Sequence, residues 1–185
     1  SLKGKKKRVM SDATAYMITD VLKDVGRQTG ISRVTSDEFA MKTGTTNYDK
    51  ETRDLFGYSF DATNDGWIAG YTPTITMAMW TGYVSNKKDV FLHQYQMVNQ
   101  RNGLYTALAK AVFDNNGDKW KKPSSVVKVK LEKGTNKLPS ATTPKNMIVT
   151  ELFKRGTEPT EVSDRFNKLS NVTELKSNIK NNVLN

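Results

Sequence analysis

Residues 65–83, DGWIAGYTPTITMAMWTGY, constrain the fold of this chain more than any other stretch. Two runs, Trp67–Tyr71 and Thr74–Tyr83, flank Thr72-Pro73. Proline fixes φ and lacks a backbone donor, so it marks a turn between the runs. The second run alternates: Ile75, Met77 and Met79 fall on one face, Thr74, Thr76 and Ala78 on the other. A period of two is the pattern of a strand with one buried face. Phe39–Thr46 reads as a further strand, which makes an antiparallel three-strand set.

Two helical patterns bracket these strands. Ser11 is a helix N-cap with Asp12 in the first turn. Met17, Val21 and Val25 recur at i, i+4 and i+8, beside Ile18 and Leu22, and Gly26 is positioned as a stop. This predicts a helix over 12–25. Leu104, Leu108 and Val112 repeat at the same interval and predict a second helix over 103–114 with an apolar stripe. Residues 47–65 read as a long polar connection, a length that is uncommon unless it serves a site. Further on, Val127, Val129 and Leu131 alternate with Lys128, Lys130 and Glu132, as in an edge strand whose outer face is charged. Pro, Thr, Lys and Asn dominate from Thr135 onward, and residues 163–185 show no core pattern.

The expected class is therefore α/β of the α+β type, with an antiparallel sheet covered by helices. The expected organisation is a basic exposed loop at 1–8, a main domain at 9–118, a small β-containing extension at 119–161 and a mobile tail at 162–185. A three-strand sheet with two helices is thin for 185 residues. It resembles the second half of a larger domain, and by itself it would expose sheet faces and edges. The Lys/Arg loop at the start is a suitable site for proteolytic nicking.

Composition excludes several functions. There are no cysteines, so disulfides and thiolate metal sites are ruled out, and a single histidine makes a transition-metal site unfavourable. No apolar run approaches the roughly 20 residues that a membrane helix needs. The net charge of +10 is unevenly placed. Residues 1–10 carry five basic and no acidic groups, and residues 118–185 carry 14 basic and 7 acidic. The segment 11–117 has 10 basic and 12 acidic groups. A nucleic-acid reader concentrates charge on its docking face, so this pattern argues against nucleic acid as a partner.

The chemistry-bearing stretch is FAMKTGTTNY, residues 39–48. On a strand with a free edge, an extended peptide can be held by backbone hydrogen bonds. Gly44 removes a side chain where a substrate must approach closely. Thr43 and Thr45 offer hydroxyls to a carboxylate, and Lys42 supplies positive charge. The backbone N–H of Thr45 can serve a developing oxyanion. A turn with an incidental lysine is the bland alternative, because a Lys-Thr/Ser-Gly triplet arises by chance in roughly one chain in ten of this length. The neighbouring stretches decide between them.

Lys42-Thr43-Gly44-Thr45 resembles the KTG box of the penicillin-binding proteins and serine β-lactamases. VMSDATAYMITDVLKDV (9–25) is similar to the helix before that box, and residues 65–83 to the strand pair after it. KWKKPSSVVKVKL (119–131) and FKRGTEPTE (153–161) resemble the region that follows the transpeptidase domain in class A, bifunctional penicillin-binding proteins. The resemblance covers residues 8–161 and implies the C-terminal half of a transpeptidase domain. It also implies an extracytoplasmic position at the bacterial membrane, a glycosyltransferase domain upstream and no cofactor. The implied ligands are peptidoglycan stem peptides ending in D-Ala-D-Ala, and β-lactams. Lys42 and Thr45 would be the catalytic positions, with Thr43, Gly44 and Thr45 binding substrate.

Two boxes of that family are missing. No Ser-x-Asn occurs in the chain. Ser-x-x-Lys occurs as Ser85…Lys88, Ser125…Lys128 and Ser177…Lys180, all after the KTG box and therefore in the wrong order. Ser125 and Lys128 lie on a strand pattern, where i and i+3 face opposite ways. The nucleophile is thus expected on an N-terminal part of the same protein, and this chain alone is expected to be inactive. The alternatives are a D,D-carboxypeptidase or β-lactamase on the same fold, and a non-catalytic wall- or membrane-binding module. His93 reads as a packed or surface residue, and Asp61 and Asp65 as turn residues. Trp67, Trp80 and Tyr83 read as sheet packing, with an aromatic ledge the alternative.

Overall fold

The computed structural model describes residues 7–167. The chain divides into two compact units: residues 18–121, and the described residues on either side of them. The expected loop at 1–8 lies outside the described residues up to residue 6, and the expected mobile tail does so from residue 168.

Helix α1 (Asp12–Thr29) starts where the capping signal places it. The Thr14 N–H donates to Ser11 Oγ at 3.1 Å. The helix does not stop at Gly26. It continues three residues beyond it, to Thr29, and Gly30 then adopts φ 73°. Gly26 serves packing instead, since a Cβ there would stand 3.1 Å from the Phe39 ring. Val21 and Ile18, expected on the buried stripe, are exposed, while Val25 packs against the core.

Strands β1 (Ala40–Asn47), β2 (Ala62–Tyr71) and β3 (Thr76–Gly82) form an antiparallel sheet in the order β1-β2-β3. A short β4 (Leu92–His93) pairs with the start of β2. The expected hairpin is present, but β2 begins at Ala62, five residues before the expected start. The connection read as an irregular loop contains α2 (Lys50–Phe56). Asp49 caps it by accepting from the Thr52 N–H at 2.7 Å, which holds that carboxyl below its ordinary pKa. Gly57, at φ 72°, ends it.

Helix α3 (Gln94–Val112) covers one face of the sheet. The stripe predicted from hydropathy is the wrong one. Leu104, Leu108 and Val112 are roughly half exposed, and the buried residues are Met97, Arg101, Tyr105 and Ala109. Both stripes have spacing i, i+4. What selects the second is the sheet beneath it. A Cβ at Gly66 would lie 2.2 Å from Met97 Sδ, and one at Gly70 would lie 2.5 Å from Tyr105 Oη and 2.6 Å from Phe39. Two side chains are absent from β2, and the large residues of α3 occupy that space. The core is Phe39, Met41, Ile68, Tyr105, Ala109 and Phe113 with Ile31 and Val34. Ile75, Met77 and Met79 pack on it, as their alternation implies. Tyr105 donates to the Met77 carbonyl at 3.2 Å, and burial pushes its phenol up to about 12.

In the second unit, β5 (Val126–Glu132) pairs antiparallel with β6 (Ile148–Lys154). Lys128 and Lys130 are exposed, as an edge strand's outer face requires. Glu132 departs from that alternation and is fully buried. Its Oε2 accepts from Thr143 Oγ1 at 2.7 Å and its Oε1 from Ser163 Oγ at 2.8 Å. Ser163, read from sequence as the start of a coreless tail, is itself buried. A parallel bridge, Leu138 to Val162, brings it there.

Two stability outcomes follow from this packing. Gly70→Ala should cost about 1–3 kcal/mol by overpacking against two aromatic rings, read as a lower denaturation midpoint. An unchanged midpoint would mean that α3 can lift off β2 freely. Glu132→Ala strands two buried hydroxyls and should cost about 2–4 kcal/mol. A loss under about 0.5 kcal/mol would show that the carboxylate does not hold this unit together.

Candidate active site

The four residues singled out from sequence are consecutive on β1. The register pairs Lys42 with Ala69, Thr43 with Ile68, Gly44 with Trp67 and Thr45 with Gly66. β1 pairs with β2 alone, so among the described residues its other edge carries no strand. Lys42, Gly44 and Thr45 are exposed and Thr43 is half-buried.

Pleating divides the four between two faces. Thr43 and Thr45 share the face of Ile68 and Gly66, toward α3. Lys42 and Gly44 share the opposite face with Trp67 and Ala69. That second face is open. Trp67 and Trp80, paired across β2 and β3, are 50% and 38% exposed, and Ala69 and Ala78 beside them are exposed too. The aromatic residues are therefore an uncovered sheet surface among the described residues, not core.

Gly44 differs from the glycines under α3. A Cβ at this position would meet only Trp67 Cβ, at 3.6 Å, an ordinary contact. Its φ is not in the left-handed region. Neither the backbone nor the described packing needs a glycine here. What its missing side chain provides is clearance on the open face.

Lys42 Nζ donates to the Thr43 carbonyl at 2.8 Å and forms no ion pair among the described residues. A cation held along the strand, unneutralised, suits an anionic group outside these residues. Behind the strand lies a residue that the sequence reading did not single out. Arg101, on α3, is only 3% exposed. Its Nη1 donates toward Gly44 O at 3.3 Å, Thr45 Oγ1 at 3.3 Å and Trp67 O at 3.5 Å. Burial pushes its guanidinium below the usual arginine value. The sequence signal for it was an arginine at i+4 from Met97 and i−4 from Tyr105, inside an apolar stripe.

None of the remaining candidates lies on this strand; Asp65 pairs with it, opposite Thr46. Ser85 and Lys88 lie in an exposed loop, Ser125 precedes β5, and Ser177 and Lys180 lie outside the described residues. His93 is partly exposed, with Nδ1 3.0 Å from both Asp61 carboxylate oxygens. The Asp61 carboxyl is held below its ordinary value by the Ser59 hydroxyl first and by His93 second. Asp65 lies on β2, not in a turn. Among the described residues no three His, Cys, Asp or Glu side chains are grouped to hold a metal ion.

The family model for the C-terminal domain of penicillin-binding protein 1A matches residues 122–168. Penicillin-binding protein 1A/1B of Bacillus subtilis (strain 168) is 40% identical over 170 residues, 89% of this chain and 18% of that protein. Penicillin-binding protein 1A of Streptococcus pneumoniae (strain ATCC BAA-255 / R6) is 40% identical over 82 residues, 41% of this chain and 11% of that protein. The crystal structure of penicillin-binding protein 1A from Haemophilus influenzae superposes with a TM-score of 0.58 at 20% identity. That superposition covers 84% of this chain and 22% of the other, and it bears on the fold alone. The chain thus spans about a fifth of the length of the relatives that match most of it. Two stretches noted in the sequence, 119–131 and 153–161, fall largely or wholly within the family-model match. The sheet with its covering helix and the extension after it agree on one assignment: the chain belongs to the class A penicillin-binding proteins, as a C-terminal part of one.

Proposed function

We propose that this chain supplies one wall of a D,D-transpeptidase site that cross-links peptidoglycan stem peptides, and that the nucleophilic serine lies on an N-terminal part of the same protein. The observation that carries the reading is the free edge of β1 with Lys42, Thr43, Gly44 and Thr45 along it. A donor peptide ending in D-Ala-D-Ala extends along this edge as an added strand. Thr43 and Thr45 hold its terminal carboxylate through their hydroxyls. Gly44 leaves clearance on the open face. Lys42 biases the site toward that anion and lies against the serine of the missing Ser-x-Asn box.

The chemistry follows the serine acyl-enzyme scheme. The serine hydroxyl attacks the carbonyl of the penultimate D-Ala and its proton passes to a base. The Thr45 N–H and the serine's own N–H receive the oxyanion. D-Ala leaves as an amine, taking up a proton, and an amine of a second stem peptide then attacks the acyl-enzyme and releases the serine. A β-lactam imitates the donor, but its leaving amine stays tethered, so the acyl-enzyme persists. The match of residues 122–168 to a class A domain favours the transpeptidase over a carboxypeptidase or β-lactamase.

Two measurements on the full-length protein test this reading. Thr45→Pro removes the N–H at the oxyanion position and should slow acylation by benzylpenicillin by about 10²–10³, followed by intact mass. Near-normal labelling of that variant would refute the assignment. Gly44→Ala should leave the denaturation midpoint unchanged, because a Cβ there meets nothing closer than 3.6 Å. It should still lower the acylation rate at least about tenfold, by occupying the clearance that the substrate needs. Equal acylation of Gly44→Ala and wild type would remove Gly44 from the site.

A further inference from the structure

Among the described residues Arg101 is the only buried cation. No carboxylate forms an ion pair with it there. Its acceptors are all neutral: Gly44 O, Thr45 Oγ1 and Trp67 O from Nη1, and Asn102 Oδ1 from Nε at 3.1 Å. Taking a charge out of water is unfavourable unless an opposite charge compensates it. The rest of the buried stripe, Met97, Tyr105 and Ala109, is neutral and seats α3 without any charge. Clamping two strands does not by itself require a guanidinium.

The Thr45 hydroxyl shows what the charge can do. A hydroxyl has one proton and two acceptor lone pairs. Arg101 donates to Thr45 Oγ1 from the helix side, so one lone pair is engaged and the O–H is left to donate elsewhere. Thr45 is exposed, so the free edge of the strand is available to that proton. A hydroxyl that accepts from a cation is polarised and becomes a stronger donor. The stem of Arg101 crosses the sheet over Gly66, where a Cβ would stand 3.3 Å from Arg101 Cδ. The missing side chain at Gly66, the register partner of Thr45, is what lets the guanidinium reach the strand.

We propose that Arg101 is a positioning residue that acts through Thr45: it turns the Thr45 hydroxyl outward as a donor, places positive charge behind it, and so makes the site select ligands with a free carboxylate over uncharged ones. This rests on the reading of residues 42–45 as the substrate wall. The charge lies on the far side of β1 from Lys42, so a bound carboxylate is approached by cationic groups from both faces of one strand.

The test uses the full-length protein with benzylpenicillin and with its methyl ester, which lacks the carboxylate, comparing acylation rates by intact mass. Wild type should prefer the acid. Arg101→Met should lower the acid rate about tenfold, the order of one charge-assisted hydrogen bond, while the ester rate stays within about twofold. Arg101→Lys keeps the charge and should retain most of the preference. In a Thr45→Val background Arg101→Met should leave the acid-to-ester ratio unchanged, because the two residues act as one unit. Equal slowing of acid and ester in Arg101→Met would make Arg101 a strand clamp and overturn the proposal. Loss of cooperative unfolding in both Arg101→Met and Arg101→Lys would do the same. An unchanged ratio in Arg101→Met beside a normally acylated wild type sinks the role of Arg101 alone. A wild type that neither compound acylates overturns the substrate wall and this proposal together.

Discussion

The structure depends on how closely α3 approaches β2. Side chains are missing at Gly66 and Gly70, so Met97 and Tyr105 rest against strand backbone instead of against other side chains. That contact sets the height of α3 above the sheet and seals one face around Ile68 and Met41. It also sets the reach of Arg101. A helix held further away could not bring a guanidinium within hydrogen-bonding range of Thr45, on the strand next to the middle of the sheet. Core packing and site geometry are consequences of the same two glycines.

The sheet is consequently two-sided in chemistry as well as in burial. Its helix face is largely covered by α3 and, among the described residues, carries one buried cation. Its other face presents Lys42, Gly44, Trp67, Ala69, Ala78 and Trp80, mostly small or aromatic, with no cover among the described residues. An exposed patch of this kind is expected where a further layer or a ligand belongs. β1 lies at the border, exposed along one edge and pinned along the other. An extended chain could pair with the free edge without shifting the register of β1 on β2, as the proposed role requires. The glycines of the two faces have opposite origins: those at 66 and 70 answer to the protein's own packing, and the one at 44 does not.

What could be read in the sequence was what depends on near neighbours. The hairpin after residue 65 declares itself by alternation and a proline. That Lys42, Thr43, Gly44 and Thr45 share one strand could be read too, because the four residues are adjacent. The cap of α1 is local too. The failures share a different cause. The stripe of Leu104, Leu108 and Val112 outweighs Met97, Arg101, Tyr105 and Ala109 in hydropathy, yet the weaker stripe is buried. The deciding fact lies on β2, more than thirty residues away, where an absence of side chains makes room for a helix. Gly26 was misread for the same reason, since a glycine that ends a helix and one that lets a ring approach look alike in sequence. Arg101 lies 56 residues from Thr45, so no spacing rule could join them. Helix α2 is seven residues long, too short for a periodic signal to emerge from its cap and its terminal glycine.

Glu132 has a consequence for the order in which its unit is completed. Its two hydroxyl donors lie 11 and 31 residues further along the chain. Synthesis delivers β5, then Thr143, then β6, and only afterwards Ser163. The hairpin can pair as soon as Lys154 is available, but one carboxylate oxygen then faces the interior without its donor, and water must stand in for it. Closure of that interior waits for the last segment to dock beside Leu138. The carboxylate therefore works as a latch read late in folding: the strands register first, and the unit dries only once the chain has run through residue 163.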